Sequence, residues 1–271
     1  MTVTELLCLA IVGFYVCMRL RGTTERGAFL LRFGAIVLAS AIGENSMIEL
    51  YGAYSYAPRW SISIWHVPVV VVLVWPVVVD SAVVLASQVA PVGPGGRALV
   101  AAGIVFTDAL LIEPIAVFSD LWAWTEGGLF DVPLLGIAGW AFFTWGVSLT
   151  LEKTRGVAVL GVLVTGPAAA HALVLAFHWA LFRWVRVELP YEAAIAIAWT
   201  LALSLSTSVL RWGTTPSRGA VLLRAPGAVF FFVLLALGNG DERMALVWFA
   251  LPFSIPYWVL LRPGAGRAFD A

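Results

Sequence analysis

The chain has 271 residues, of which 61% are hydrophobic and only 12% are charged, and its formal net charge is zero. Ordinary soluble domains carry about twice this share of charged residues, so the composition excludes a soluble domain. The zero net charge, together with the lack of a dense basic patch, also excludes binding to nucleic acid. A mean hydropathy of +0.95 instead indicates an integral membrane protein that contacts membrane lipids.

Apolar runs of about 18 to 22 residues, the length that crosses a bilayer core, fill most of the sequence. We predict an all-α, polytopic helical membrane protein with about nine transmembrane helices. The predicted spans are 3–18, 28–45, 65–87, 98–119, 134–151, 157–181, 192–210, 219–238 and 244–261. Arg224 and Pro226 interrupt the eighth span, so eight helices are the alternative. No stretch between spans is long enough for a soluble domain, and residues 1–271 are predicted to form one transmembrane domain in the cell membrane.

Basic residues predict the orientation, because the cytoplasmic loops of membrane proteins carry an excess of Lys and Arg. With nine spans and the N-terminus outside, twelve of the 16 Lys and Arg residues fall on the cytoplasmic side. The four on the outer side are Arg59, Arg183, Arg186 and Arg243. We therefore predict that the C-terminus is inside and that the loops after the second and fourth helices are outside. An eight-span arrangement would reverse the last loop and weaken the bias.

Two stretches contain the same elements in the same order: a carboxylate, an aromatic-x-aromatic triplet, a Val-Pro pair and a tryptophan seven residues later. The first stretch contains Glu44, Tyr54-Ser55-Tyr56, Val67-Pro68 and Trp75. The second contains Glu113, Trp122-Ala123-Trp124, Val132-Pro133 and Trp140. We interpret this recurrence of the motif as an internal parallel repeat of helices 2-3 and 4-5. Such repeats are related by an axis along the membrane normal, and binding sites tend to lie between the copies.

Carboxylates inside predicted spans are candidates for function, because an acidic side chain in hydrocarbon costs a few kcal/mol or more. Glu44 and Glu113 are the first candidates for a catalytic acid, and Asp108 and Asp80 are further candidates. For Asp80, Asp108 and Glu113 the alternative is an internal partner that locks helix packing. The candidate substrate-binding residues are Asn45, Tyr54, Tyr56, Trp75, Trp122, Trp124 and Trp140. The loop aromatics also fit an aromatic belt at the membrane interface.

The sequence predicts neither a metal nor a cofactor. Cys8 and Cys17 lie on opposite sides of the first helix, so core packing is their expected role. His171 and His178 are about 10 Å apart along one helix, too far to share a metal ion whose bonds to nitrogen are about 2 Å long. There is no phosphate loop, serine nucleophile elbow or dinucleotide fingerprint. Any chemistry must therefore use carboxylates, water and aromatic rings.

Residues 40–145 resemble an integral-membrane family of carotenoid biosynthesis proteins that includes the bacterioruberin-type and γ-carotene hydratases. The resemblance rests on two runs of motifs. The first run is Gly43-Glu44-Asn45, Gly52-Ala53-Tyr54-Ser55-Tyr56, Val67-Pro68 and Trp75. The second is Asp108, Glu113-Pro114, Trp122-Ala123-Trp124, Val132-Pro133 and Gly139-Trp140. The resemblance implies a lipid-soluble carotenoid or other isoprenoid substrate and, as partners, other carotenoid enzymes.

The resemblance further implies a lyase-type hydration, in which water adds to the terminal double bond of a linear carotene and gives a tertiary alcohol. The alkene is first protonated, and water captures the tertiary carbocation. This chemistry needs a protonated acid and is helped by aromatic faces that stabilise the cation. The alternatives are a carotenoid end-group cyclase, in which the same cation loses a proton, a proton-coupled transporter of a small hydrophobic molecule, and a pigment-binding subunit without catalysis.

Overall fold

The computed structural model describes residues 1–90, 92–184, 189–212 and 216–262. Helices dominate it. They are α1 (Val3–Gly22), α2 (Arg26–Tyr51), α3 (Val69–Val89), α4 (Pro94–Phe118), α5 (Leu134–Lys153), α6 (Val162–Phe177), α7 (Tyr191–Trp212), α8 (Arg218–Leu222), α9 (Ala225–Leu237), α10 (Arg243–Ala250) and α11 (Ile255–Leu260). The short strands are β1 (Tyr54–Tyr56), β2 (Ser63–Ile64), β3 (Val67–Pro68) and β4 (Trp122–Trp124).

Nine helical stretches in the described part of the chain are long and apolar enough to cross a membrane, which confirms the predicted fold class. The eighth consists of α8 and α9, with an irregular turn at Leu223 and Arg224 where the sequence predicts an interruption. The ninth consists of α10, a 3₁₀ turn over Leu251–Ser254 and α11. Arg186 and Arg267, two of the basic residues counted for the orientation, lie outside the described residues. The single domain over residues 1–271 stays a prediction.

The helices α2 and α3 form a first hairpin, and α4 and α5 form a second one. In the first hairpin, Gly52 ends α2 in a left-handed conformation with φ of 57°, which glycine adopts without steric cost. The two Val-Pro pairs have the same place in both hairpins, because Pro68 and Pro133 directly precede the first residues of α3 and α5. Each proline is the N-cap residue of its helix, with φ of −58° and −69°, which the proline ring fixes, and an extended ψ.

An antiparallel ribbon of β1 and β4 joins the loops of the two hairpins. In this ribbon Tyr54 pairs with Trp124, Ser55 with Ala123 and Tyr56 with Trp122. The two aromatic triplets therefore lie on the same face of the helix bundle, so α2 and α4 approach that face in the same sense. This arrangement agrees with a parallel repeat, whose superposition stays a prediction.

Close contact between backbones holds the second hairpin against α6. A Cβ atom added at Gly146 of α5 would overlap with the backbone carbonyl of Thr165 in α6, so only glycine allows this approach. Small residues let membrane helices pack in this way. The main core cluster lies between α2, α3, α4, α5 and α6, and it includes the tryptophans Trp75 and Trp140. The loop faces of the two hairpins are thus held at fixed positions beside α6.

Candidate active site

A cavity of about 450 Å³ lies between the two hairpins, close to the ribbon of β1 and β4. Both repeat carboxylates, Glu44 and Glu113, line it. The predicted aromatic residues that line it are Tyr54, Tyr56, Trp75, Trp122, Trp124 and Trp140. The cavity is largely apolar, with few polar groups that point into it, which is typical of a site for a small apolar ligand.

Three aromatic side chains of the first hairpin donate hydrogen bonds to Glu44. The hydroxyl groups of Tyr54 and Tyr56 donate to Oε2, with a distance of 2.9 Å from Tyr56, and the indole Nε1 of Trp75 donates to Oε1 at 2.8 Å. All three donors follow Glu44 in the sequence and belong to the triplet and the tryptophan of the repeat. We call Glu44 and its three donors the first cage.

Glu113 has the same arrangement in the second hairpin. Nε1 of Trp122 and Nε1 of Trp124 donate to Oε2 at 2.8 Å and 2.9 Å, and Nε1 of Trp140 donates to Oε1 at 2.7 Å. The triplet residues thus contact one carboxyl oxygen and the later tryptophan contacts the other, as in the first hairpin. We call Glu113 and its three donors the second cage. This agreement atom by atom supports the repeat more strongly than the spacing in the sequence does.

Rings from the two cages contact each other directly. The ring centroids of Trp75 and Trp140 are 4.6 Å apart, and those of Tyr54 and Trp124 are 4.7 Å apart. Tyr56 and Trp122 meet edge to face at 5.8 Å. Each contact joins one residue of each cage, so the aromatic donors of the two carboxyl groups form one continuous cluster of packed rings.

The phenols of the first cage are neutral. Burial first, and then the neighbouring Glu44 side chain, raise the pKa of Tyr54 and of Tyr56 well above the ordinary range. Both residues lie in the loop between α2 and α3, and their hydroxyl groups therefore keep their protons near neutral pH. A neutral phenol can donate one hydrogen bond and also accept one.

Asp108, a further candidate for the catalytic acid, is not among the residues that line this cavity. Its carboxylate pairs with the guanidinium of Arg224 and accepts a hydrogen bond of 2.9 Å from the hydroxyl of Tyr257. Five residues correspond to about 140° around a helix, so Asp108 and Glu113 point to different sides of α4. Asp108 therefore has an ion partner that locks the later helices against α4, which was the alternative for this residue.

Asp80 also lies away from the cavity, although it was a candidate acid. Its carboxylate accepts hydrogen bonds from Tyr15 at 2.6 Å and from Arg32 at 2.8 Å, and Nε of Arg19 lies 3.2 Å from it. These partners come from α1 and α2, so the charge of Asp80 holds the first three helices together. Two arginines balance that charge, which suits a structural role better than proton transfer.

Asn45 is buried beside Glu44 but does not line the cavity. Its amide nitrogen donates to the carbonyl of Ala41 at 2.8 Å, and its side-chain oxygen accepts from the backbone N–H of His66 at 2.9 Å. Asn45 therefore fixes the loop that leads from β1 to α3. This contact positions the first cage indirectly and does not make Asn45 a binding residue for a ligand in the cavity.

Several residues that line the cavity are not found from the sequence pattern. They include Cys8, Phe143, His178, Trp179, Phe230 and Phe231. His178 begins a π-helical segment, His178–Phe182, and such segments are frequent at functional sites. No spacing rule connects α1, α6 and α9 with the repeat, so only the fold brings these side chains to the cavity. Among the described residues, no three His, Cys, Asp or Glu side chains come together to hold a metal ion.

The fold and the cavity define a class of protein: a multi-pass helical membrane protein with a largely apolar cavity that contains two buried carboxyl groups. Residues 1–207 match the family of carotenoid biosynthesis proteins, and the chain belongs to that family. The match contains both hairpins and both cages. No curated protein and no solved structure matches the chain. Membership in this family supports a role in carotenoid modification and is consistent with a lipophilic carotenoid substrate.

Proposed function

We propose that the protein is a hydratase that adds water across the terminal double bond of a linear carotene and forms a tertiary alcohol. The observation that carries this proposal is the pair of carboxyl groups in one apolar, aromatic cavity. The family membership supports a carotenoid substrate, and the cavity supplies the groups that an acid-catalysed addition to an alkene needs. The proposal assigns the protein to the cell membrane, where other carotenoid enzymes would supply its substrate.

The cavity suits an end group of the substrate. Leu175 and Trp179 line it and are 39% and 57% exposed, so the cavity reaches the outer side of α6. In a membrane protein this side contacts lipid. A carotene dissolved in the bilayer could insert one end between the cages while the rest of its chain stays among the lipid tails. The substrate would then never leave the membrane.

The chemistry follows from the lining of the cavity. A carboxyl group gives its proton to the less substituted carbon of the terminal double bond, and the more substituted carbon becomes a tertiary cation. The faces of Trp75 and Trp140 stabilise this cation through their π electrons. Water then bonds to the cation and loses one proton to a carboxylate, so one molecule of water is added in all. General acid catalysis of this kind is worth about 100- to 10,000-fold in rate.

Among the described residues, neither Glu44 nor Glu113 forms an ion pair with Arg or Lys, whereas Asp80 and Asp108 both do. Burying two unpaired negative charges in one cavity is costly, so the pair favours a state with at least one proton. A proton donor is therefore available where the alkene would bind. This difference between the glutamates and the aspartates supports the choice of the cages as the source of the acid.

Expression in a lycopene-producing host tests the proposal. We expect a new pigment whose mass exceeds that of the carotene by one molecule of water, measured by chromatography and mass spectrometry, with the oxygen derived from labelled water. A product with the mass of the carotene but a cyclised end group would show the alternative, a cyclase. Unchanged carotene, with the protein present and folded in the membrane, would contradict both reactions.

A further inference from the structure

The two cages differ in one chemical respect, although their geometry is the same. Two of the three donors to Glu44 are phenol hydroxyl groups, from Tyr54 and Tyr56, and each phenol oxygen can also accept a hydrogen bond. All three donors to Glu113 are indole N–H groups, which can only donate. The repeat therefore presents two carboxyl groups with the same hydrogen-bond geometry but different capacities for a proton.

The first cage can hold its carboxyl group in either protonation state. When Glu44 is ionised, both phenols and Trp75 donate to it. When Glu44 is protonated, its O–H can donate to the oxygen of Tyr54 or Tyr56, and that phenol turns its own hydrogen away. In either state both oxygens of the Glu44 carboxyl group, and the proton when it is present, have a hydrogen-bond partner in the cage.

The second cage favours the ionised state. An ionised Glu113 accepts three hydrogen bonds from Trp122, Trp124 and Trp140, two at one oxygen and one at the other. A protonated Glu113 would place an O–H group among three N–H groups, and none of these can accept it. The two carboxyl groups are buried in one cavity, where a single proton between them avoids two unpaired charges. The donors decide which of the two groups holds it.

We infer that the two glutamates have different roles: Glu44 holds the proton that is given to the alkene, and Glu113 stays ionised as the counter-ion of the carbocation and as the base for water. This assignment rests on the proposed hydration. The O–H bond of Glu44 breaks as a C–H bond forms at the terminal alkene. Water forms a C–O bond with the cation, and its surplus proton goes to Glu113. The proton then returns from Glu113 to Glu44, so both groups recover their starting states and no oxidant or reductant is needed.

Tyr54 is the residue best placed for the return of the proton. Its hydroxyl contacts Glu44, and its ring contacts Trp124 of the second cage at 4.7 Å between centroids. Its hydroxyl can accept a proton on one side as it gives one on the other. Among the described residues no hydrogen bond joins Tyr54 to Glu113, so the proton crosses from Glu113 to the Tyr54 hydroxyl through water, which the hydration itself requires in the cavity. Tyr54 therefore has a positioning role for Glu44 and a role in returning its proton, which the indoles of the second cage do not share.

Infrared spectroscopy of the purified protein tests the assignment without a substrate. We expect the carbonyl stretch of a protonated carboxyl group near neutral pH, lost in Glu44→Gln and retained in Glu113→Gln. Asp131→Asn, at a loop carboxylate outside the cavity, should leave the band unchanged. A band that survives Glu44→Gln, or that disappears in Glu113→Gln, would overturn the assignment. Because this readout needs no activity, it holds even if the reaction were a different one.

Turnover in heavy water gives a second test. Wild-type protein should form alcohol that carries deuterium on the carbon next to the alcohol carbon. In Glu44→Gln, both the alcohol and the deuterium should be lost. In Glu113→Gln, the alcohol should fall, but recovered carotene should still contain deuterium, because protonation and loss of the proton continue. Deuterium in the carotene with Glu44→Gln would overturn the assignment. Absence of alcohol from the wild-type protein would instead contradict the proposed function.

Two substitutions by phenylalanine, at Tyr54 and at Trp199, provide a matched comparison. Tyr54→Phe removes the phenol that joins the cages, and Trp199→Phe removes an N–H group that bonds only to the carbonyl of Trp248, outside the cavity. We expect Tyr54→Phe to lower kcat with little change in KM, and Trp199→Phe to leave both unchanged. An unchanged kcat in Tyr54→Phe would contradict its part in the return of the proton.

Discussion

The carboxyl groups of this protein differ in the kind of partner that neutralises or satisfies them. Asp80 and Asp108 contact guanidinium groups, whereas Glu44 and Glu113 contact the O–H and N–H groups of aromatic side chains. An ion pair balances the charge of an aspartate and fixes helices together. Aromatic donors orient a carboxyl group without cancelling its charge, and they leave one side of it open to the cavity. At the scale of the residue, this difference distinguishes the carboxyl groups that are candidates for catalysis from those that hold helices together.

Replacement of Glu113 by Gln should lower the amount of product by at least about 100-fold, the usual contribution of general acid–base catalysis. Glutamine keeps the shape of the side chain but can neither hold a negative charge nor take a proton from water. Pigment analysis in the carotene-producing host measures the change, and thermal unfolding in detergent shows that the variant is folded.

The control for this variant is Asp131→Asn. Asp131 has a φ of 60°, a conformation that asparagine tolerates, and it lies in the loop before α5, away from the cavity. The amount of product that the Asp131→Asn variant forms should stay close to that of the wild-type protein. If Glu44→Gln and Glu113→Gln are both folded and convert carotene at near-normal rates, the acid lies elsewhere in the protein.

Replacement of Asp108 by Asn should destabilise the protein. It leaves the guanidinium of Arg224 buried without its anion, and breaking a buried ion pair costs about 3–5 kcal/mol. We expect a lower melting temperature and less protein in the membrane. Product per amount of folded protein should remain near that of the wild-type protein, whereas a loss of at least about 100-fold per folded molecule would restore Asp108 as a candidate acid.

At the scale of the element, helix contacts hold the cages in position. A Cβ atom at Gly136, in the first turn of α5, would overlap with the ring of Trp124. Glycine at this position therefore lets the indole lie against α5 and reach Glu113. The same helix carries Trp140, which contacts the other oxygen of Glu113. One helix thus fixes two of the three donors of the second cage.

Replacement of Gly136 by Ala should displace Trp124 and lower the amount of product more than it lowers stability. Gly34→Ala is the matched control, because no atom lies within 4 Å of a Cβ added at Gly34 in α2. In a helix interior, alanine is favoured over glycine by about 0.5–1 kcal/mol, so this control should be as stable as the wild-type protein or slightly more stable. Equal product from Gly136→Ala and Gly34→Ala would show that Trp124 does not need this contact.

Sequence reasoning finds the parts of the site that are local in the chain. The transmembrane spans follow from hydropathy alone. The recurring motif identifies Glu44, Glu113 and all six of their donors, because each cage lies within one hairpin. Sequence reasoning leaves the role of Asp108 open between a catalytic acid and a packing residue, because the partner Arg224 is 116 residues away in the chain. Nothing in the spacing of residues shows that α1, α6 and α9 complete the cavity. Contacts between distant helices depend on packing, which hydropathy does not encode.

At the scale of the whole molecule, polar groups are arranged in two layers. The cages lie near the ribbon of β1 and β4, while the ion pairs of Asp80 and Asp108 lie farther along α3 and α4 from that face. If the ribbon faces outward, the site lies in the outer part of the bilayer and can take its water from that side. The arginine pairs then lie toward the cytoplasm, in agreement with the predicted bias of basic residues.

Reporter fusions test this orientation. Fusions after residues 57 and 126 interrupt the loops of the first and second hairpins and should be active only in the outer compartment. A fusion within the short connection between α3 and α4 serves as the opposite control and should be active only in the cytoplasm. A cytoplasmic signal at 57 or 126 would contradict the orientation. Signals on different sides for these two positions would contradict the ribbon itself.

Each cage is formed by one short stretch of the chain, and this determines where the protein can be divided into two polypeptides. The first cage is complete within residues 44–75 and the second within residues 113–140, and α3 and α4 are joined by only a short connection. Membrane helices insert independently and then associate. Two polypeptides, residues 1–90 and 91–271, should therefore reassemble when they are produced together, and the pair should form product while neither fragment does so alone. Each half of such a split enzyme could then be varied separately, so the donors around one glutamate can be exchanged for those around the other.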